Sequence, residues 1–309
     1  MNIDLEEQEP LNTTEFSVTT TEDNYNFFSW QCLKSILLYH LILALSMFLL
    51  IILAVYTDRF IFRVLSAIIP GAIIIEFCRH YYNKYITRCQ MTVTIIETMF
   101  LIPIVGLFTT FLENKLLIGN NLIYDISVTS FILAGLIEET IKFIPLIRII
   151  NSKFITNPRS IWVYGLCAGA GFACLENISY VLMGGVRTSI IRSVLSVPLH
   201  CCTGLIMGMN MSIYKFRDQI EADGIYQIKY YKAVFLPIII HGLFDFLLMI
   251  GETINISGLF FLAIIELFVT YIYLRYFILK LEKEFMNTED IHDMIEDKRL
   301  EPPCVWFIH

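Results

Sequence analysis

Residues 123–148 read IYDISVTSFILAGLIEETIKFIPLIR. The stretch is almost wholly apolar, yet Glu138, Glu139 and Lys142 stand in its middle. About 20 apolar residues suffice for a helix to cross the hydrocarbon core. A run of this length therefore predicts a membrane span, and its internal charges predict that the span faces protein or water, not lipid tails. A charge at the bilayer centre costs about 2.5–3.5 kcal/mol on insertion scales, so such groups mark function by default.

Runs of the same kind lie on both sides. They fall at about 35–56, 60–77, 91–112, 160–183, 192–214, 230–250 and 257–279, separated by short charged loops. With 123–148 they predict an all-α, polytopic membrane helix bundle of about eight transmembrane helices, since only helices and closed barrels satisfy the backbone in lipid. The second run is the weakest, interrupted by Arg63 and Pro70. No internal repeat and no soluble domain is visible.

Composition agrees. Of the 309 residues, 56% are hydrophobic and only 17% charged, against roughly 45–50% and 25% in a soluble domain. The mean hydropathy is +0.65. These values exclude a disordered protein, a nucleic-acid binder and an ordinary soluble enzyme. The net charge of −7 is concentrated at the ends. Residues 1–33 and 282–309 together carry −12, which leaves +5 on 34–281. We therefore read 1–33 as an acidic, disordered tail, 34–281 as the membrane body and 282–309 as a second acidic tail. No basic run marks a nucleic-acid partner. Residues 1–31 have neither a basic n-region nor an early apolar stretch, so a cleavable signal peptide is not expected. Eight crossings put both tails on one side. That side's loops hold Arg79, Lys84, Arg88, Arg148, Lys153, Arg159, Lys215, Arg217, Lys229 and Lys232. The other side has Arg59, Arg63, Lys115, Arg187 and Arg192. The positive-inside rule then makes both termini cytoplasmic. The eight cysteines form no CxxC pair and fall mostly in apolar runs, so they read as buried small hydrophobes, not as a disulfide frame.

The polar residues concentrate in four consecutive runs. Glu138, Glu139 and Lys142 are followed by Glu176, then His200, then His241 and Asp245. The economical reading is one polar cluster inside the bundle. Glu138 and Lys142 are four apart and share a helix face, where they can pair; Glu139 points about 100° round. His241 and Asp245 are also four apart, so the carboxylate can orient the imidazole. Gly165, Gly169, Gly204 and Gly208 permit close helix approach. Pro145, Pro198 and Pro237 lie near cluster members, where bent helices would open a cavity. Two histidines, several carboxylates and a lysine suit water activation. Histidines bind metal as neutral imidazole or donate to an oxyanion. Taken singly, each group also has a bland reading. Glu97 and Glu266 are expected to pair helices, His200 and His241 would serve as interhelical hydrogen bonds, and Glu176 is as suited to packing with Asn177 as to catalysis.

The series Glu138-Glu139-Thr-Ile-Lys142, Gly171-Phe-Ala-Cys-Leu-Glu176-Asn177-Ile-Ser-Tyr180, His200 and His241-Gly-Leu-Phe-Asp245 resembles the PrsW family of intramembrane proteases. That family is distantly related to the CAAX prenyl proteases and the bacteriocin-processing membrane proteases. The motifs keep the family's order and cover about 123–250, which makes that stretch the protease core; the flanking runs match only in kind, and the acidic tails are outside the pattern. The resemblance implies an intramembrane endopeptidase acting on a membrane-linked protein substrate. Carried over by position, Glu138 and Glu139 supply the water-activating carboxylate. His200 and His241 act as metal ligands, with zinc the candidate ion, or as oxyanion donors. Asp245 orients His241, and Lys142 balances the glutamate pair. Two competing readings are a proton-coupled membrane transporter, which predicts inverted repeats, and a non-catalytic membrane scaffold. The polar second half and apolar first half count against the transporter.

Overall fold

A computed structural model describes residues 60–82, 85–216 and 230–292. The expected span at 35–56 and the N-terminal tail lie outside these residues. Among the described residues every regular element is helical, as the sequence predicts.

Helix α1 is Phe60–Tyr81 and α2 is Arg88–Leu116, capped by Thr87, whose side chain accepts from Gln90 N. The stretch that opened the sequence analysis forms one broken column. It begins as α3, Leu122–Ser127, widens into π-helical turns over Val128–Leu136, and continues as α4, Ile137–Asn151. Then follow α5 (Pro158–Val194), α6 (Ser196–Lys215), a single 3-10 turn (Tyr230–Ala233), α7 (Phe235–Thr253) and α8 (Ser257–His292). Asn157 caps α5 with Pro158 at its first position, where the missing N–H costs nothing.

Six helical segments among the described residues are long and apolar enough to cross a membrane: Val64–Tyr81, Arg88–Leu116, Pro158–Val181, Ile191–Lys215, Tyr231–Thr253 and Gly258–Glu282. Arg192 meets Glu176 and Asn177, about four turns earlier on the same helix, a reach that a straight helix does not allow, so α5 must bend back between the third and fourth of these spans. The sequence places a loop there and counts Arg192 as a loop charge; the structure makes the stretch helical and turns Arg192 inward.

The Pro158–Val181 and Ile191–Lys215 spans form the heart of the bundle, with 83% and 78% of an 18-residue apolar window in each buried. The outer helices are mostly exposed and apolar: Phe100, Leu107, Phe108 and Phe111 on α2, and Phe261, Phe268 and Tyr276 on α8. Large apolar side chains facing outward on every outer helix are the surface that lipid tails cover.

Two close approaches place the polar residues. The α5–α6 crossing runs glycine against backbone: a Cβ at Gly169 would collide with the His200 carbonyl, and one at Gly204 with the Gly165 carbonyl. On the other side, α7 lies against the π-helical turns. A Cβ at Gly135 would stand 2.8 Å from Ile238 O, and one at Gly242 would strike the Phe131 ring. Thus the small residues bring His200 and His241 inward from their two helices. The prolines do less than the sequence suggests. Pro198 and Pro237 sit in the first turns of α6 and α7, where no helical hydrogen bond is lost; of the three, Pro145 alone is interior. Five cysteines (Cys78, Cys167, Cys174, Cys201 and Cys202) are free thiols in apolar settings. Cys89 departs from that reading and is disulfide-bonded.

Candidate active site

The site begins where the π-helical turns end. Glu138 and Glu139 occupy the first turn of α4, and a wider i→i+5 turn just before them sets their rotation about the helix axis. Glu139 points into the bundle and is fully buried. Its Oε1 accepts from Lys142 Nζ at 2.6 Å, faces His241 Nδ1 at 2.6 Å and takes a longer bond from Thr203 Oγ1 at 3.3 Å. The sequence pairs Lys142 with Glu138; the structure pairs it with Glu139, three residues away. Thr203 is one turn from His200 on α6, a donor that the sequence reading overlooks.

Lys142 is also fully buried, and its Nζ lies 2.6 Å from His200 Nδ1 and 4.5 Å from the Phe172 ring centroid. An ammonium only donates, so His200 accepts at Nδ1 and carries its proton on Nε2. That nitrogen meets Glu176 Oε2 at 2.7 Å. Glu176 is held from the far side by Arg192 Nη2 at 2.6 Å. Arg192 is fixed in turn: Nε donates to Asn177 Oδ1 at 2.7 Å, Nη2 to Ser196 Oγ at 2.9 Å, and the guanidinium stacks over Tyr180 at 3.9 Å. The sequence reading also missed Arg192 as a member of this network.

His241 closes the arc. With Nδ1 donating to Glu139, its Nε2 looks toward Asp245 Oδ2 at 3.4 Å and Glu138 Oε2 at 3.7 Å. The close carboxylate partner of His241 is thus Glu139, whereas Asp245 stands further off on the opposite nitrogen. The His200 and His241 rings meet edge to face, centroids 4.9 Å apart. All seven residues singled out in the sequence therefore converge. The cluster is graded from dry to wet. Lys142 and Glu139 have no exposed surface, Glu138 and Glu176 are 15% exposed, and the Asp245 side chain is 30% exposed.

Of the other intramembrane acids, Glu97 pairs helices as expected, whereas the bond of Glu266 stays within its own helix. Glu97 takes Arg148 at 2.8 Å and ties α2 to α4, while Glu266 accepts from Thr270 at 3.3 Å one turn along α8. Cys201 packs in an apolar cluster with Leu166, Ala170, Ala173 and Val197.

Three of these groups could hold a metal ion, His200 once its ring gives up Lys142 or Glu176. One atom each from Glu138, His200 and His241 lies within 4.8 Å of the others. Glu138 Oε2 is buried with no hydrogen-bond partner among the described residues, which is costly for a carboxylate oxygen that nothing will occupy. Two imidazoles and a carboxylate are a familiar zinc set that leaves an open position. The His241 Nδ1–H bond to Glu139 is the outer bond that fixes a metal-ligating histidine in the right tautomer.

Comparison with known proteins points the same way. Residues 87–274 match the model of a family described as PrsW family intramembrane metalloprotease. A protein named Protease PrsW from Clostridioides difficile (strain 630) is 34% identical over 131 residues, 41% of this chain and 54% of that one. The match thus spans about half of that relative's length. Its namesake in Geobacillus kaustophilus (strain HTA426) is 28% identical over 208 residues, 66% of this chain and 88% of the relative. The one in Bacillus subtilis (strain 168) is 27% identical over 192 residues, 60% and 83%. No solved structure matches.

Proposed function

This chain belongs to the PrsW family of intramembrane metalloproteases, hydrolases of peptide bonds, and from that premise we propose that it cleaves membrane-linked proteins with Glu138 as the carboxylate that takes the proton of water. The difference between the two glutamates carries this reading. Glu139 is sealed and already binds three donors through Oε1. Each glutamate keeps an Oε2 without a hydrogen-bond partner among the described residues, but only Glu138 is partly exposed, with that oxygen beside His241.

Water reaches the centre from the Asp245 side, where exposure is greatest. Glu138 removes its proton as oxygen attacks the peptide carbonyl, then returns that proton to the leaving amine. His241 Nε2 stands on the open side toward the developing oxyanion, with the His200 ring edge to face behind it. Glu139 and Lys142 hold the imidazoles from the dry side, and Asp245 aligns the exposed edge of His241. One oxygen of Glu138, Nε2 of His241 and a nitrogen of His200 released from Lys142 or Glu176 would hold zinc, which would supply Lewis-acid polarisation of the carbonyl and a more acidic bound water, with the other Glu138 oxygen left to take the proton. General acid–base catalysis by such a group is worth about 100-fold to 10,000-fold.

We also place both chain ends, and the bundle end that carries Arg79, Arg88, Arg148, Arg159, Lys215 and Lys232, toward the cytoplasm. These charges sit at the ends of successive helices that meet at one face: Ser160 Oγ bonds Tyr85 O, and Lys215 Nζ bonds Ser152 O at 2.6 Å. The asymmetry follows the positive-inside rule.

The test uses the full chain in proteoliposomes with a single-span peptide reporter. Glu138→Gln and His241→Ala should each abolish product while both proteins still insert. Full activity in either removes the mechanism. Substrate counterflow without cleavage would mark a carrier instead.

A further inference from the structure

A pocket of about 50 Å³ opens between the α5–α6 turn and α7. Leu195, Phe244 and Leu248 give it apolar walls, while Arg192, Ser196 and Asp245 give it a polar rim. The rim is continuous with the site. Asp245 lies 3.4 Å from His241, and Arg192 is ion-paired with Glu176, the partner of His200.

We propose that this pocket holds the side chain of the substrate residue next to the cleaved bond and selects an aliphatic residue of middle size there. The inference rests on the peptidase reading above and adds a specificity element to it. Size decides the occupant class. Pockets for whole drug-sized ligands run to about 300–1,000 Å³, so this one suits a single side chain that enters as part of a longer chain. Its walls are firm. Phe244 and Leu195 are buried and pack with Leu199 and Ala263 in one apolar cluster. The rim is firm as well, since Arg192 is held by Glu176, Asn177, Ser196 and the Tyr180 ring. A rigid apolar pocket distinguishes side chains that differ by one methylene by about 10-fold to 200-fold. The partly exposed Asp245 carboxylate at the mouth is an acceptor for a peptide N–H of the segment that enters.

The experiment uses the full chain in proteoliposomes and a synthetic pool of single-span peptides with randomised apolar residues, with products sequenced by mass spectrometry. The wild-type protein should enrich Leu, Ile, Val or Met at one position flanking the cleaved bond. Leu248→Phe, which narrows the pocket, should move that one position toward Gly and Ala by about 10-fold. Leu248→Ala should move it toward Phe. Ile191→Phe narrows the same pocket from another wall and replaces a Leu248 variant that fails to insert. Profiles unchanged in both directions, or altered equally at every position, overturn the pocket assignment while peptidase activity stands. No cleavage of the pool by the wild-type protein overturns the peptidase reading, and the pocket assignment with it.

Discussion

Lys142 donates to Glu139 at 2.6 Å in the interior of the bundle, and neither side chain has any surface exposed. A buried pair of this kind is costly to break from one side, because the survivor keeps its charge without a counterion. Lys142→Met should therefore cost about 3–5 kcal/mol. Lys142→Met/Glu139→Gln should recover most of that loss, since no bare charge remains. Thermal or denaturant unfolding in detergent gives the coupling from the full cycle. Equal destabilisation in the single and double variants would show that the pair does not act as a unit.

The donor set of Glu138, His200 and His241 should hold about one zinc ion per chain after purification in detergent. Elemental analysis reads this directly. Chelation should remove the metal and the activity together, and zinc should restore both. His200→Ala and His241→Ala should each lower the metal content without unfolding the protein. Full activity in metal-free protein would leave the two histidines as oxyanion donors only.

Arg192→Lys should lower kcat/KM by roughly 10-fold, within the range for partners that orient site residues. Lysine keeps the charge but loses the planar fork that grips Glu176, Asn177 and Ser196 together. Proteoliposome kinetics should place the loss in kcat more than KM if Arg192 acts through Glu176 and His200. A pure KM effect would mean that the guanidinium serves the pocket alone.

Gly169→Ala should destabilise the protein by about 1–3 kcal/mol, as overpacking commonly does, because the new methyl group meets the His200 carbonyl. It should also lower activity, since the backbone that moves carries His200. Gly106→Ala is the matched control, with open space at its Cβ position. Similar melting temperatures for the two variants would refute the close-crossing argument.

Six of the eight expected spans were legible because hydropathy is a one-dimensional signal, and lipid leaves few alternatives to a helix. The convergence of Glu139, His200 and His241 was legible for a related reason: charges on four successive runs must share one interior. Pairing was not legible. A lysine at position 142 reaches a glutamate three or four residues back equally well, and the choice of Glu139 depends on how the π-helical turns rotate α4. Arg192 was hidden because hydropathy places it at the end of a run, where a solvated loop charge and an inward-facing guanidinium look alike. Pro198 and Pro237 misled because the helix starts lie further along the chain than the apolar runs suggest.

The π-helical stretch Val128–Leu136 is equivalent to an extra residue accommodated within a helix. Winding the same residues as an ordinary α-helix would swing both carboxylates about 100° away from the imidazoles, and only the loss of one residue would bring them back. The winding of this segment is thus a dial on the chemistry: the same residues coiled one notch tighter would present the neighbouring helices with the wrong side chains.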